Sequence, residues 1–279
     1  MDMKFKKTKG LTLIELLVAL AISGILMAAI YRTFLSQYKT YTVQEQVVDM
    51  QQNARVAINR MMREIRMAGF GNVSDVLDLP GGVNGFTNVI IANDNSITII
   101  GGFRQISTLA ADAAAGQNKI TLANANDGSQ FDGAAHHRYI SIGGLESHIV
   151  QSRIEADLTL DSNYPLKLRH PVGTPIFKIH AIRYGLRDDD GVPVLFRDLY
   201  PNTVSSQRDT VAENIENVQF EYLDASANPT TIPANIRMVK VTVTARTSTY
   251  DPEFKGGTGG FRRRTIASNV NVRNMEANP

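Results

Sequence analysis

The hydrophobic pattern divides the chain in two. Residues 11–31 read LTLIELLVALAISGILMAAIY, with seventeen apolar positions in 21 and only Thr12, Glu15, Ser23 and Gly24 as exceptions. At about 1.5 Å per residue this run spans roughly 31 Å as a helix, the thickness of a hydrocarbon core. No other segment has an apolar run of this length. Over 32–68 the pattern becomes amphipathic: Val47, Met50, Ala54, Ile58, Met61, Ile65 and Ala68 recur at three- or four-residue steps, with Arg55, Asn59, Arg63 and Arg66 mainly between them. The first proline is Pro80, Gly24 is the only glycine between 11 and 68, and Gly69 and Gly71 supply a stop. The spacing predicts one helix from 11 to about 67, roughly 85 Å long. Its first half suits a membrane, and its second half suits docking of the Met and Ile stripe onto a sheet.

Beyond Gly69 the period shortens to that of strands. Candidate strands are 87–92, 96–100, 119–122, 139–142, 148–154, 176–186, 192–198, 211–223, 236–247 and 264–272, separated by Gly, Asn, Asp and Pro. Residues 211–217 could begin as a short helix, and the Ala-rich stretch 108–116 reads as a loop or short helix. Asp188-Asp189-Asp190-Gly191 reads as a hairpin turn. No repeat and no second boundary stand out within 69–279.

Composition sharpens this picture. In 279 residues, 43% hydrophobic and 20% charged content excludes general disorder. A net +2 excludes a polyanion binder driven by bulk charge. That +2 is itself an average. Lys4, Lys6, Lys7 and Lys9 against Asp2 give the first ten residues +3, and the other side chains total −1. Lysines just before an apolar helix stay cytoplasmic, which places the rest of the chain on the other side of the membrane. A cleaved secretory signal fits poorly, because YRTFLSQYKTY follows the apolar run and offers no small-residue cleavage site. A plain signal anchor has no use for Glu15. A charge at a helix centre in the membrane costs about 2.5–3.5 kcal/mol, less near the ends, so Glu15 either snorkels or meets a cation.

The stretch Lys9-Gly10-Leu11-Thr12-Leu13-Ile14-Glu15-Leu16 resembles the processing site of type IV prepilins and type II secretion pseudopilins. The resemblance implies a short basic leader (1–10), cut by prepilin peptidase between Gly10 and Leu11, with Glu15 fifth in the mature chain. It also implies that the Glu15 carboxylate pairs with the new amino terminus, its own or a neighbour's, as subunits assemble. The family usually begins its mature chain with Phe and N-methylates it; Leu11 stands here instead. Gln51-Gln52-Asn53-Ala54-Arg55, and Met62-Arg63-Glu64-Ile65-Arg66-Met67-Ala68-Gly69-Phe70, are similar to the helix exit of PilW-like minor pilins. The run Ile215-Glu216-Asn217-Val218-Gln219-Phe220-Glu221-Tyr222-Leu223, then 236–247 and the basic stretch 262–275, extend the likeness, which leaves about 71–210 uncovered.

The fold this resemblance implies is α+β and pilin-like: a long N-terminal helix, membrane half 11–31 and amphipathic half 32–68, on a β-rich domain at 69–279. The function it implies is that of a minor pilin precursor that helps to initiate assembly and is no enzyme. The implied partners are prepilin peptidase, other minor pilins, the major pilin, the inner membrane and the pilus assembly platform. The protein would sit first as a single-pass protein of the inner membrane and then in the surface filament. A J-type pseudopilin of a type II secretion machine, a tip adhesin or DNA-binding module, and a signal-anchored enzyme are the alternatives. The chain has no cysteine, so no thiolate site and no disulfide is available; where many pilins brace their last loop with a disulfide, these final strands must hold by packing and hydrogen bonds.

Candidate chemistry in the uncovered middle is sparse, and no cofactor is expected. His136 and His137 are adjacent and would face opposite sides of a strand. His148, His170 and His180 lie in unrelated runs and read as surface residues. Asn124–Gly128 and Asp188, Asp189 and Asp190 faintly resemble calcium loops, without the later Glu of an EF-hand. Arg262, Arg263 and Arg264 follow a glycine-rich loop and Phe261. They could contact nucleic acid, but a solvated hairpin end paired with Asp251 and Glu253 is the favoured reading.

Overall fold

The computed structural model describes residues 10, 12–131, 138–256 and 258–275. By its contacts the chain forms two compact units, residues 1–48 and 49–279. One helix, α1 (Leu13–Arg66), runs through both. It contains no proline, and its one glycine, Gly24, sits among strong helix formers. Within the second unit α1 buries Met50, Ala54, Ala57, Ile58, Met61 and Ile65, a stripe at three- and four-residue spacing. Burying a side chain such as Met61 or Ile65 contributes about 1.5–3 kcal/mol. Arg55, Asn59, Arg63 and Arg66 are exposed, as the pattern predicts.

The helix ends where Gly69 and Gly71 turn left-handed, at φ 81° and 100°. The Gly69 N–H donates to the Ile100 carbonyl at 2.8 Å. A Cβ on Gly71 would lie 2.9 Å from Ser141 Cβ, so the exit needs glycine for space as well as for φ. A one-turn helix, α2 (Ser74–Leu77), follows. The remaining strands are β1 (Ile90–Ala92), β2 (Ile97–Thr108), β3 (Lys119–Thr121), β4 (Tyr139–Ile142), β5 (Glu146–Ile154), β6 (Asp157–Leu160), β7 (Pro175–Asp189), β8 (Val192–Leu199), β9 (Gln207–Glu213), β10 (Ile215–Leu223), β11 (Met238–Arg246) and β12 (Arg263–Asn271), with a short helix, α3 (Ala125–Gly128), after β3.

Among the described residues nine strands form one antiparallel sheet in the order β1-β2-β7-β4-β5-β6-β3, with β8 and β9 branching from β7. The long β7 is its spine. It pairs with β2 (Ile97↔Tyr184), β4 (Ile140↔Lys178) and β8 (Ile182↔Leu199) along different stretches. The sheet's core holds Leu109, Leu122, Phe131, Ile140, Ile142, Leu158 and Ile176. Val76, Val83, Ile100, Ile179 and Ala181 form a second cluster under α2. The separate sheet β10-β11-β12 shows plain period-two burial: Val239, Val241, Val243 and Ala245 of β11 are buried and their neighbours are not.

The architecture is the α+β, pilin-like one expected from the sequence. Some details refine or differ from the pattern reading. The run 211–223 contains no helix; it is β9 and β10, divided at Asn214, whose φ is 58°. The strand β6 was not anticipated, because four residues after the left-handed Glu155 give little pattern. Residues 108–116 take the loop form of the two alternatives, tied by the bridges Leu109↔Leu122 and Ala113↔His170. Asn124 caps α3 by accepting from the Asn126 N–H at 3.0 Å. The 188–191 turn is as expected. Asp190 and Gly191, at φ 53° and 83°, form the two-residue loop between β7 and β8.

Candidate functional site

The N-terminal segment is built from its own helix start. Thr12 stands at the N-cap of α1, and the Leu16 N–H donates to its carbonyl at 3.2 Å. The Glu15 N–H donates to Thr12 Oγ1 at 3.3 Å. In return the Glu15 carboxylate, through Oε2, accepts from the Thr12 N–H at 2.8 Å and the Thr12 hydroxyl at 2.9 Å. This is a reciprocal capping box, the T-x-x-E pattern. It satisfies donors that no helical carbonyl can reach, and it places a negative charge at the positive end of the helix dipole. Glu15 thus has a local partner that neither sequence reading of it included. Its Oε1 carries no hydrogen bond among the described residues and remains open to an outside cation.

Gly10 is exposed, and nothing lies within 4 Å of a Cβ built on it. Among the described residues no contact therefore stands against a larger residue at position 10. Leu11 and the leader lysines lie outside the described residues. From Leu13 to Tyr31 every side chain is exposed, including Leu16, Leu17, Leu20, Ile25 and Ile30. α1 is long and apolar enough to cross a membrane, and its apolar window buries nothing in the protein. Tyr31, Phe34, Tyr38 and Tyr41 follow at three- and four-residue steps, all exposed, with Phe34 stacked on Tyr38 at 6.5 Å. The three tyrosine rings, apolar with a hydroxyl tip, suit a membrane–water boundary. The hydroxyls of Thr33, Thr40 and Thr42 donate back to Ala29, Ser36 and Tyr38 carbonyls, which satisfies them without water.

The other sequence candidates are held in local contacts. Arg262 donates to Asp251 at 3.2 Å and lies over the Phe254 ring. Arg263 is bidentate to Glu216, at 2.5 and 2.8 Å. Arg264 is exposed. Two of the three arginines are thus committed to carboxylates, Asp251 as anticipated and Glu216 in addition. Asp188 Oδ1 accepts from the Gly191 N–H at 2.7 Å, and Asp189 pairs with Arg187 at 2.9 Å. Among the described residues no three His, Asp or Glu groups converge in a metal-holding arrangement. His136 and His137 lie outside the described residues.

The expectation of surface histidines fails for His148 and His170. Their side chains are 2% exposed, and both meet the buried Glu146 carboxylate, His148 Nε2 at 3.0 Å and His170 Nε2 at 2.5 Å. The Lys167 and Leu168 N–H groups donate to the same carboxylate at 2.7 and 3.2 Å. Burial alone would raise the Glu146 pKa, but the bonds from His148, His170 and the Lys167 amide outweigh it and hold the carboxyl at about 2. His180 is also buried, between Phe103 and Tyr200.

Sequence reasoning also passed over Glu64, on the docked part of α1. It accepts from Tyr184 Oη at 2.6 Å, Arg197 Nε at 2.9 Å and Arg60 Nε at 3.2 Å. Burial and the Glu64 charge push the Tyr184 hydroxyl well above its ordinary pKa. This clamp fixes α1 to β7 and β8. Arg197 lies 133 residues from Glu64, too far for any pattern to connect them.

Residues 5–31 match the family model described as the prokaryotic N-terminal methylation motif. A search of curated proteins and a search of solved structures each found no match. The motif ends where the exposed apolar run ends, and it contains both Gly10 and the capping box. The match supports a type IV pilin-like precursor, of pilin or pseudopilin kind, that is processed by prepilin peptidase, anchored in a membrane through α1 and assembled with pilus machinery.

Proposed function

We propose that this chain is a minor pilin precursor of a type IV pilus system. Prepilin peptidase cuts it between Gly10 and Leu11, and the mature chain starts one residue before the Thr12 cap. The protein waits in the inner membrane with its C-terminal domain outside the cytoplasm, then enters the filament through α1. It acts there with other minor pilins to initiate assembly on the platform, and it is not an enzyme. The observation that carries this reading is the methylation motif over 5–31 running into a membrane-length helix with Glu15 in its first turn. The PilW-like helix exit at 62–70 supports the minor role over a major one.

Glu15 has a definite part in this. Its Oε2 is held by Thr12, which keeps the carboxylate at the helix start and lowers the cost of holding it in lipid. Its free Oε1 accepts the amino terminus of a neighbour, a charge-assisted bond that forms only between subunits. The test is expression of the full chain in its own cells. Gly10→Leu should leave the precursor mass unchanged in the membrane fraction. Glu15→Ala should be cut normally yet be missing from sheared filaments. Normal incorporation of that variant would sink the role of Glu15. Co-isolation with secretion pseudopilins and not with pilins would move the protein to a type II secretion machine.

A further inference from the structure

Among the described residues five strands end a sheet, and four of them are blunted. β1 and β3 have three residues each. β9 carries Arg208, Asp209 and Glu213, and its register with β8 skips at Val211. β10 has an irregularity between Ile215 and Asn217, and its Phe220 N–H is already taken by the Asp94 carbonyl at 2.9 Å. β12 differs. It has nine residues without proline or glycine, and it pairs with β11 in unbroken register from Arg263↔Arg246 to Asn271↔Met238.

Which backbone groups of β12 are free follows from its ends. The Arg262 carbonyl accepts from the Thr247 N–H, and the Val272 N–H donates to the Arg237 carbonyl, both at 2.9 Å. Even-numbered residues therefore bond to β11, and the N–H and C=O groups of Thr265, Ala267, Asn269 and Asn271 point away from it. None of these groups has a hydrogen bond among the described residues. A row of that kind is a template for one more strand.

Charge selects the occupant. The middle of the edge, Thr265-Ile266-Ala267-Ser268-Asn269, is uncharged, so no gatekeeper charge protects it. Exposed Arg264 stands at one end. At the other, Arg66 and Arg273 line a polar cleft of 270 Å³ with Asn269 and Asn271. Arg66, Arg264 and Arg273 have no acidic partner among the described residues. A second copy of β12 in antiparallel pairing would bring the Arg264 end against the Arg273 end, which like charges oppose. An acidic strand fits both ends, and guanidinium plus amide donors suit a carboxylate in the cleft.

We infer that the β12 edge receives an extended acidic segment of another protein chain, which joins β10-β11-β12 as a fourth strand and seats a carboxylate between Arg66 and Arg273. That this other chain is a neighbouring filament subunit rests on the function proposed above; the edge and its charge do not.

The test places a photo-crosslinking amino acid at Ala267 of the full chain in its own cells and sequences the captured peptide. The expected adduct is a segment of a different protein with Asp or Glu at its ends. Thr265→Pro removes only an outward N–H and should cut the adduct about tenfold, the effect of losing one or two hydrogen bonds at the contact. Arg66→Glu with Arg273→Glu leaves the ladder to β11 intact, which guards against a folding defect in the proline variant, and should cut the adduct at least as far. No adduct, an adduct insensitive to both changes, an adduct to a second copy of this chain, or one to its own residues 276–279 would each overturn the inference. An acidic strand from a protein that is no filament subunit would uphold the edge and overturn the filament reading.

Discussion

Replacing Glu146 tests the buried histidine cluster most directly. The carboxylate is 1% exposed and accepts four hydrogen bonds, two from imidazoles and two from the 167–168 backbone. Glu146→Ala strands all four donors in a dry site. Breaking a buried charged network from one side costs about 3–5 kcal/mol. For a unit the size of 49–279, each kcal/mol moves the unfolding midpoint by about 2–4 °C, so a fall of roughly 6–20 °C is expected. Acid should reveal the same carboxylate. Its pKa falls from an ordinary 4.5 in the unfolded chain to about 2 in the fold. A depressed carboxylate contributes its stability above the unfolded value and loses it as pH falls through the folded one. A shift of that size is worth roughly 3 kcal/mol, present above pH 4.5 and fading between pH 4.5 and 2. Glu146→Gln keeps the shape without the titrating group, so its stability should decline less across that window. Calorimetry of the full chain in detergent at stepped pH measures both effects. If Glu146→Ala melts within a degree or two of the parent, or if Glu146→Gln loses as much in acid as the parent does, the cluster is not the anchor described.

Three further outcomes follow from named contacts. Arg197→Met should cost about 3 kcal/mol by leaving Glu64 short of its main cation, and adding Glu64→Gln should recover much of that loss; chemical denaturation of both variants measures it. Thr12→Ala should weaken the first turn of α1 by about 1 kcal/mol, seen as faster amide exchange at residues 13–15 in micelles with exchange over 49–279 unchanged. Gly191→Ala forces a side chain into φ 83° at the β7–β8 turn and should cost about 1–2 kcal/mol in thermal unfolding.

The long helix was legible because its signals are local: no proline, one glycine, and an apolar pattern that changes at a definable point. Most strands were legible for the same reason, as the agreement at β4 and β8 illustrates. The failures share a cause. Asn214 breaks a β-rich run by adopting a left-handed backbone, and in Val-Ala-Glu-Asn-Ile the asparagine is the one weak signal that the chain can do so. Glu146 and His148 are neighbours in sequence, but His170 reaches them only because the 164–170 segment folds back beside β5. Glu64 sits inside a motif noted for its resemblance, yet its burial depends on Arg197 and Tyr184 arriving from distant strands. The capping box, by contrast, is local: Thr12 and Glu15 stand at the T-x-x-E spacing just before an apolar run, so one carboxylate serves both as a charge and as a cap.

The position of β7 bears on how quickly this domain can form. β2 finds its main partner only in β7, some 80 residues later, and β4 and β8 pair with that same strand. Closing such loops precedes any reward from the contacts made, so folding should be slow for a chain of this size. A chain threaded across a membrane from its N-terminus would present Ile97-Thr98-Ile99-Ile100 with only the three residues of β1 on one side, and with the edge that takes β7 unpaired, until Tyr184 has emerged. During that interval the exposed edge of β2 is the stretch most open to aggregation, and a chaperone on the receiving side would have most to gain by holding it.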